Sequence, residues 1–153
     1  LALSAQTVAK ACPLFVPLVE NGRFAPDDPV AKLVVEEYLA PVRATGVDTL
    51  ILGCTHYPLL RQAIANYMGP GVALVDSGRE AADSLRATLT GQGLLNSRAE
   101  GGQVEYYVSD APDRFDHLAN IFLGGYAGGR VEQINIEQFS FKLAVAEQIH
   151  RIP

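Results

Sequence analysis

The sequence predicts an α/β fold, a mostly parallel sheet with flanking helices. Three observations carry this. Apolar residues at helical spacing alternate with short apolar runs of strand length. From Asp28 to Gly91 the order reads helix, strand, helix, strand, helix, the alternation of parallel strands joined by crossover helices. The helices are bracketed by residues suited to their ends: Asp28-Pro29, Pro58 and Gly69, then Asp76-Ser77 and Gly91.

The elements follow in order. Val8 to Val16 is an apolar stretch broken by Pro13, with Pro17 just after it. It predicts an edge strand or a strand–loop junction. Glu20, Asn21 and Gly22 read as loop. Asp28 is the expected N-cap of a helix with Pro29 in its first position. Val30, Leu33, Val34, Tyr38 and Val42 form its apolar stripe, and Gly46 ends the unit. Val47 to Leu52 predicts a buried strand. Pro58 fits the first turn of a helix carrying Leu59, Leu60, Ile64 and Met68, with Gly69 as its terminator. Val72 to Val75 is a second strand, followed by a helix bearing Ala81, Ala82, Leu85 and Leu89. A Gly-rich connection over 91–103 leads to alternating Val104, Tyr106 and Val108. Asp110 then reads as a helix cap with Pro112 in the first turn, and Phe115, Leu118, Ile121 and Phe122 as the apolar face. Val131 to Ile136 predicts a last strand, and Phe139 to Ile149 a weakly amphipathic helix in a tail over 135–153.

Composition narrows the function classes. In 153 residues, 48% are hydrophobic and 19% charged, a globular balance for one domain of ordinary size. The net charge of −5 and the lack of any Lys/Arg stripe argue against a nucleic-acid partner. No apolar run reaches membrane-spanning length, which argues against a membrane partner. Two cysteines, Cys12 and Cys54, make no disulfide framework and fit reduced thiols in a cytoplasmic protein.

The main chemical clue is ILGCTHYPLL, Ile51 to Leu60. It sets a thiol, a hydroxyl and an imidazole where a strand ends, and α/β proteins bind ligands beyond the carboxyl ends of their strands. The free N–H groups of the following helix are expected to face the same corner, to hold a carboxylate and to favour the Cys54 thiolate. Thr55 adds a donor, and His56 suits proton movement to or from the thiol or a ligand amine. The plainer alternative is that Cys54 is a small buried hydrophobe and His56 caps the turn. Tyr57 reads as packing or lining. Cys54 and His56 alone are too few for a closed metal site. Cys12 reads as core, Asp76-Ser77-Gly78 as an N-cap, and Glu20 as either a cleft carboxylate or a solvated loop residue. No dinucleotide fingerprint, phosphate loop or cofactor anchor is present.

ACPLFVPLVENG (Ala11 to Gly22) and ILGCTHYPLL together resemble glutamate racemase of the cofactor-independent aspartate/glutamate racemase family. VDSG (Val75 to Gly78) and YYVSD (ending at Asp110) agree. The resemblance covers about residues 8 to 134. It implies a two-domain α/β fold that interconverts L- and D-glutamate at Cα with no cofactor and no metal. Two cysteines then act from opposite faces of the substrate. Cys54 is implied to be the base toward L-glutamate and the acid in reverse. Thr55 and His56 fall on positions that bind substrate and handle protons near its amino group, and Glu20 on a supporting cleft carboxylate.

The other family cysteine belongs to an N-terminal half with its own Ala-Cys-Asn-Thr and Asp-Ser-Gly segments. Cys12 matches a different, non-catalytic part of the pattern. The resemblance therefore implies a C-terminal half. Residues 1–75 would belong to the second domain and 76–134 would return to the first. The implied partners are L- and D-glutamate and the missing N-terminal half. Without that half, exposed surfaces would favour poor folding or self-association, such as a homo-oligomer. The family implies a bacterial cytoplasmic enzyme supplying D-glutamate for peptidoglycan synthesis. Alternatives are racemisation of aspartate or another amino acid, a non-catalytic binding or scaffold fragment, and a redox thiol, for which no CxxC is present.

Overall fold

The computed structural model describes residues 5–98, 101, 104–124 and 130–136, with the backbone alone at Asp113. The chain divides into two compact units, Leu1–Ala99 and Glu100–Pro153.

In the first unit the predicted punctuation operates physically. The Asp28 carboxylate accepts the N–H groups of Val30 at 2.8 Å and Ala31 at 2.9 Å, and Pro29 opens helix α2, Pro29–Ala44. The buried stripe is Ala31, Val35, Leu39 and Val42. It is rotated from the expected one: Val30 and Leu33 lie exposed, and Ala31 is fully buried in their place. Gly46, at φ +74°, turns the chain into strand β1, Thr49–Leu52. β1 pairs in parallel with β2, Ala73–Asp76, with Thr49 opposite Ala73 and Leu52 opposite Asp76.

Between the strands, Pro58 sits in a 3-10 turn, Tyr57–Leu60, that leads into helix α3, Arg61–Met68. Leu60, Ala63, Ile64 and Met68 are buried. Gly69, at φ +90°, supplies the sharp exit toward β2. Asp76 caps helix α4, Ser77–Gly91, accepting from Gly78 N–H at 3.0 Å and Arg79 N–H at 3.2 Å. No residue of α4 is buried, and Ile51 on β1 is 66% exposed. Strands of parallel sheets are normally covered on both faces.

The expected edge strand at Val8–Val16 is corrected. Residues 5–12 form no strand, and Phe15–Glu20 is a short helix, α1. Pro17 is compatible with it because it lies in the first turn, where backbone N–H groups have no intrahelical partner. Phe15, Leu18 and Val19 face the core, and Glu20 ends the helix instead of lying in a loop.

In the second unit, β3 (Tyr106–Val108) and β4 (Val131–Gln133) pair in parallel, joined through helix α5, Pro112–Leu123. Tyr106 packs on Phe115 with ring centroids 4.9 Å apart. Asp110 does not cap α5. Its carboxylate turns onto the adjacent Ala111 N–H at 2.8 Å, and Ala111, at φ +44°, occupies the cap position. The expected last strand stops at Gln133. The expected helix at 139–149 lies outside the described residues. Among the described residues, no helix is long and apolar enough to cross a membrane.

Candidate active site

The chain leaves β1 at Leu52, passes Gly53 and turns at once. The Tyr57 N–H donates to the Cys54 carbonyl at 3.2 Å, and the Leu59 N–H to the His56 carbonyl at 3.1 Å. The turn brings three consecutive side chains together. His56 Nδ1 lies 3.2 Å from Thr55 Oγ1 and 4.0 Å from Cys54 Sγ. On the other side of the ring, His56 Nε2 lies 3.2 Å from Glu20 Oε1. Helix α1, packed against the turn, delivers that carboxylate.

The hydrogen-bond roles follow from the donor inventory. An ionised carboxylate only accepts, so Glu20 holds the tautomer with the proton on Nε2. Nδ1 then carries the lone pair that faces Thr55 and Cys54. It can accept a hydrogen bond from the Thr55 hydroxyl, or a proton from the Cys54 thiol or a ligand ammonium. The 4.0 Å sulfur–nitrogen distance is a loose contact. Cys54 is half-buried, Thr55 exposed and His56 half-buried, so the corner is open to a ligand.

One expectation needs correction. The amides of Tyr57 and Leu59 are spent on the turn and Pro58 has none, so these three positions offer no free N–H groups to an anion. The segment begins as a 3-10 turn, whose closer spacing consumes donors that an α-helical first turn would leave open.

Cys12 is the second thiol and belongs to the core. It is 4% exposed, its Sγ faces the Lys10 carbonyl at 3.7 Å, and burial pushes its thiol up despite nearby Lys10. Tyr57, expected as packing, is also a link. Its ring meets Phe15 edge-on at 5.1 Å, and its hydroxyl donates to the Cys12 carbonyl at 3.3 Å. Only the tyrosine beside the turn proline could have hinted at that bond. A cavity of about 780 Å³ runs between residues 5–12 and β1, lined by Lys10, Cys12, Gly53 and Tyr57 among others. Cys54, Thr55, His56 and Glu20 do not line it; they form a separate open corner. Among the described residues, no cluster of three or more His, Cys, Asp or Glu side chains could hold a metal ion.

Comparison with known proteins gives a consistent result. No family model matches the chain. It is 47% identical over 132 residues to glutamate racemase of Geobacter metallireducens, covering 86% of this chain and 48% of that protein. It is 47% identical over 122 residues to glutamate racemase of Lactiplantibacillus plantarum, covering 79% and 44%. Among solved structures, it superposes on Thermus thermophilus glutamate racemase in complex with β-chloro-D-alanine with a TM-score of 0.73. That match has 43% identity and covers 85% of this chain and 48% of the other. Francisella tularensis glutamate racemase in complex with D-glutamate gives a TM-score of 0.71 at 30% identity, covering 85% and 47%. The chain spans about half the length of the curated relatives it matches.

Proposed function

Because this chain is part of the glutamate racemase family and shares its α/β architecture, we propose that it supplies one catalytic side of a cofactor-independent amino-acid racemase acting on glutamate. The observation that carries this reading is the corner at the end of β1: a half-buried thiol, a hydroxyl and an imidazole oriented by a carboxylate. Glutamate is the substrate named for the relatives, and the Francisella racemase is seen with D-glutamate.

In the proposed reaction the Cys54 thiolate removes the α-proton of L-glutamate and becomes a thiol. A second thiol on the opposite face, from the half that these 153 residues do not contain, gives its proton to Cα and becomes the thiolate. The centre is inverted and D-glutamate leaves. Two opposed groups are needed, because a single base tends to return the proton to the face it came from. In reverse, Cys54 is the acid. His56 accepts the thiol proton at Nδ1 to generate the thiolate, and Glu20 stabilises the imidazolium. Thr55 binds the substrate beside His56. The α-proton is very weakly acidic, so charge developing on the substrate carboxylate must be stabilised by fixed donors in a site that excludes water.

Residues 1–75 are assigned to the second racemase domain and 76–134 to a return into the first. The complementary half is the proposed cover for exposed Ile51 and α4. The proposed setting is a cytoplasmic enzyme feeding D-glutamate to peptidoglycan.

The test is to assay the purified chain for D-glutamate formation from L-glutamate, alone and with the complementary half, alongside calorimetric glutamate binding. Turnover that requires Cys54 supports the racemase. Binding without turnover in the complete assembly supports a non-catalytic binding module instead.

A further inference from the structure

The corner is attached to helix α1 at two places. At the C-terminal end of α1, Glu20 holds His56 Nε2 at 3.2 Å. Just before its N-terminal end, the Cys12 carbonyl accepts the Phe15 N–H at 3.1 Å, in the turn that leads into the helix, and also the Tyr57 hydroxyl at 3.3 Å. A carbonyl oxygen has two lone pairs and can take both. The Tyr57 ring is fixed as well, lying edge-on to Phe15, which is 1% exposed and itself edge-on to Tyr38. Tyr57 directly follows His56 in the chain. Strand end, histidine, tyrosine and helix thus close a mechanical loop around the Cys54–His56 pair.

The Glu20 and Thr55 contacts act on the ring itself, and neither ties down the backbone that carries it. The second attachment, one residue further along, fixes that backbone. The contact it bears on is the 4.0 Å approach of His56 Nδ1 to Cys54 Sγ, already loose, so that a small further displacement of the ring would break it. We infer that Tyr57 is a positioning residue for the proposed racemisation: its hydroxyl, tied to the Cys12 carbonyl, holds His56 in reach of Cys54. This rests on the proposed role of His56.

The test uses Tyr57→Phe, which deletes the hydroxyl and keeps the ring, in the complete racemase, with His56→Gln and the double variant. Misplacing a catalytic group by a fraction of an ångström lowers turnover with little change in substrate affinity. Tyr57→Phe is therefore expected to lower kcat about tenfold while KM for glutamate stays within about twofold. In the His56→Gln background the same substitution is expected to change kcat by less than about twofold, because there is no imidazole left to position. A Tyr57 that merely supports the fold would give the same fractional loss in both backgrounds. That result, or wild-type kcat in Tyr57→Phe when His56→Gln is impaired, overturns the inference. If His56→Gln itself retains full turnover, the role proposed for His56 fails instead, and the inference falls with it.

Discussion

Glu20 and His56, 36 residues apart in sequence, meet at 3.2 Å across the gap between helix α1 and the turn after β1. The carboxylate fixes which imidazole nitrogen carries the proton and turns the other toward Thr55 and Cys54. In the complete racemase, Glu20→Gln is expected to lower kcat about tenfold by weakening the imidazolium that forms when His56 takes a proton. The pair is partly solvent-exposed, with side-chain exposures of 19% for His56 and 39% for Glu20. Its loss should therefore cost no more than about 1 kcal/mol of stability. Kinetics and thermal unfolding of the same variant check both halves. A variant that unfolds but turns over normally when folded would reverse the assignment.

The two thiols should differ in reactivity. Cys54 is half-buried beside an imidazole lone pair, whereas Cys12 is buried and held toward its protonated form. Iodoacetamide at neutral pH is expected to label Cys54 first and Cys12 only after denaturation. Peptide mass spectrometry over a time course reads this directly, and equal labelling rates in the native protein would contradict it.

Phe15 anchors the helix that carries Glu20. It is 1% exposed and contacts the rings of Tyr38 and Tyr57 at 5.5 and 5.1 Å. Phe15→Ala removes both contacts and opens a cavity under α1, so a loss of about 3–5 kcal/mol is expected by denaturant titration. A loss below about 1 kcal/mol would mean that α1 does not depend on this packing.

Asp28 ties stability to pH. Its carboxyl is held below the usual range by the Ala31 N–H, with the Arg23 side chain and the Val30 N–H adding to the effect. A depressed folded-state value means the contribution is fully present above the unfolded aspartate range and disappears as pH falls through the folded value. Asp28→Ala should therefore lower Tm at neutral pH, and its difference from the unsubstituted protein should shrink toward zero in strong acid. A difference independent of pH would contradict the cap.

Much of this fold was legible because its punctuation is local. Asp28-Pro29, Gly46, Gly69 and Asp76 act within a few residues of themselves, and the helices and strands they delimit appear where expected. Helix α1 was not legible. Pro13 and Pro17 look like breakers in a strand, and only the position of Pro17 in a first turn makes it harmless. Asp110 misled for a related reason: which N–H an aspartate captures depends on the φ of its neighbour, here Ala111 at +44°. In the candidate site, the convergence of Cys54, Thr55 and His56 follows from a turn after a strand. The approach of Glu20 depends on how α1 packs, and from Ala11 to His56 only resemblance suggested it.

In the proposed reaction Cys54 moves the α-proton on one face while a different group serves the other. The most direct measurement is the fate of that proton in D2O. Protiated L-glutamate is given to the complete racemase and sampled before equilibrium. The expected result is D-glutamate deuterated at Cα, remaining L-glutamate still largely protiated, and no D-glutamate at all from the Cys54→Ala variant. Unabated racemisation by Cys54→Ala, or deuterium entering L-glutamate as fast as D-glutamate forms, would contradict it.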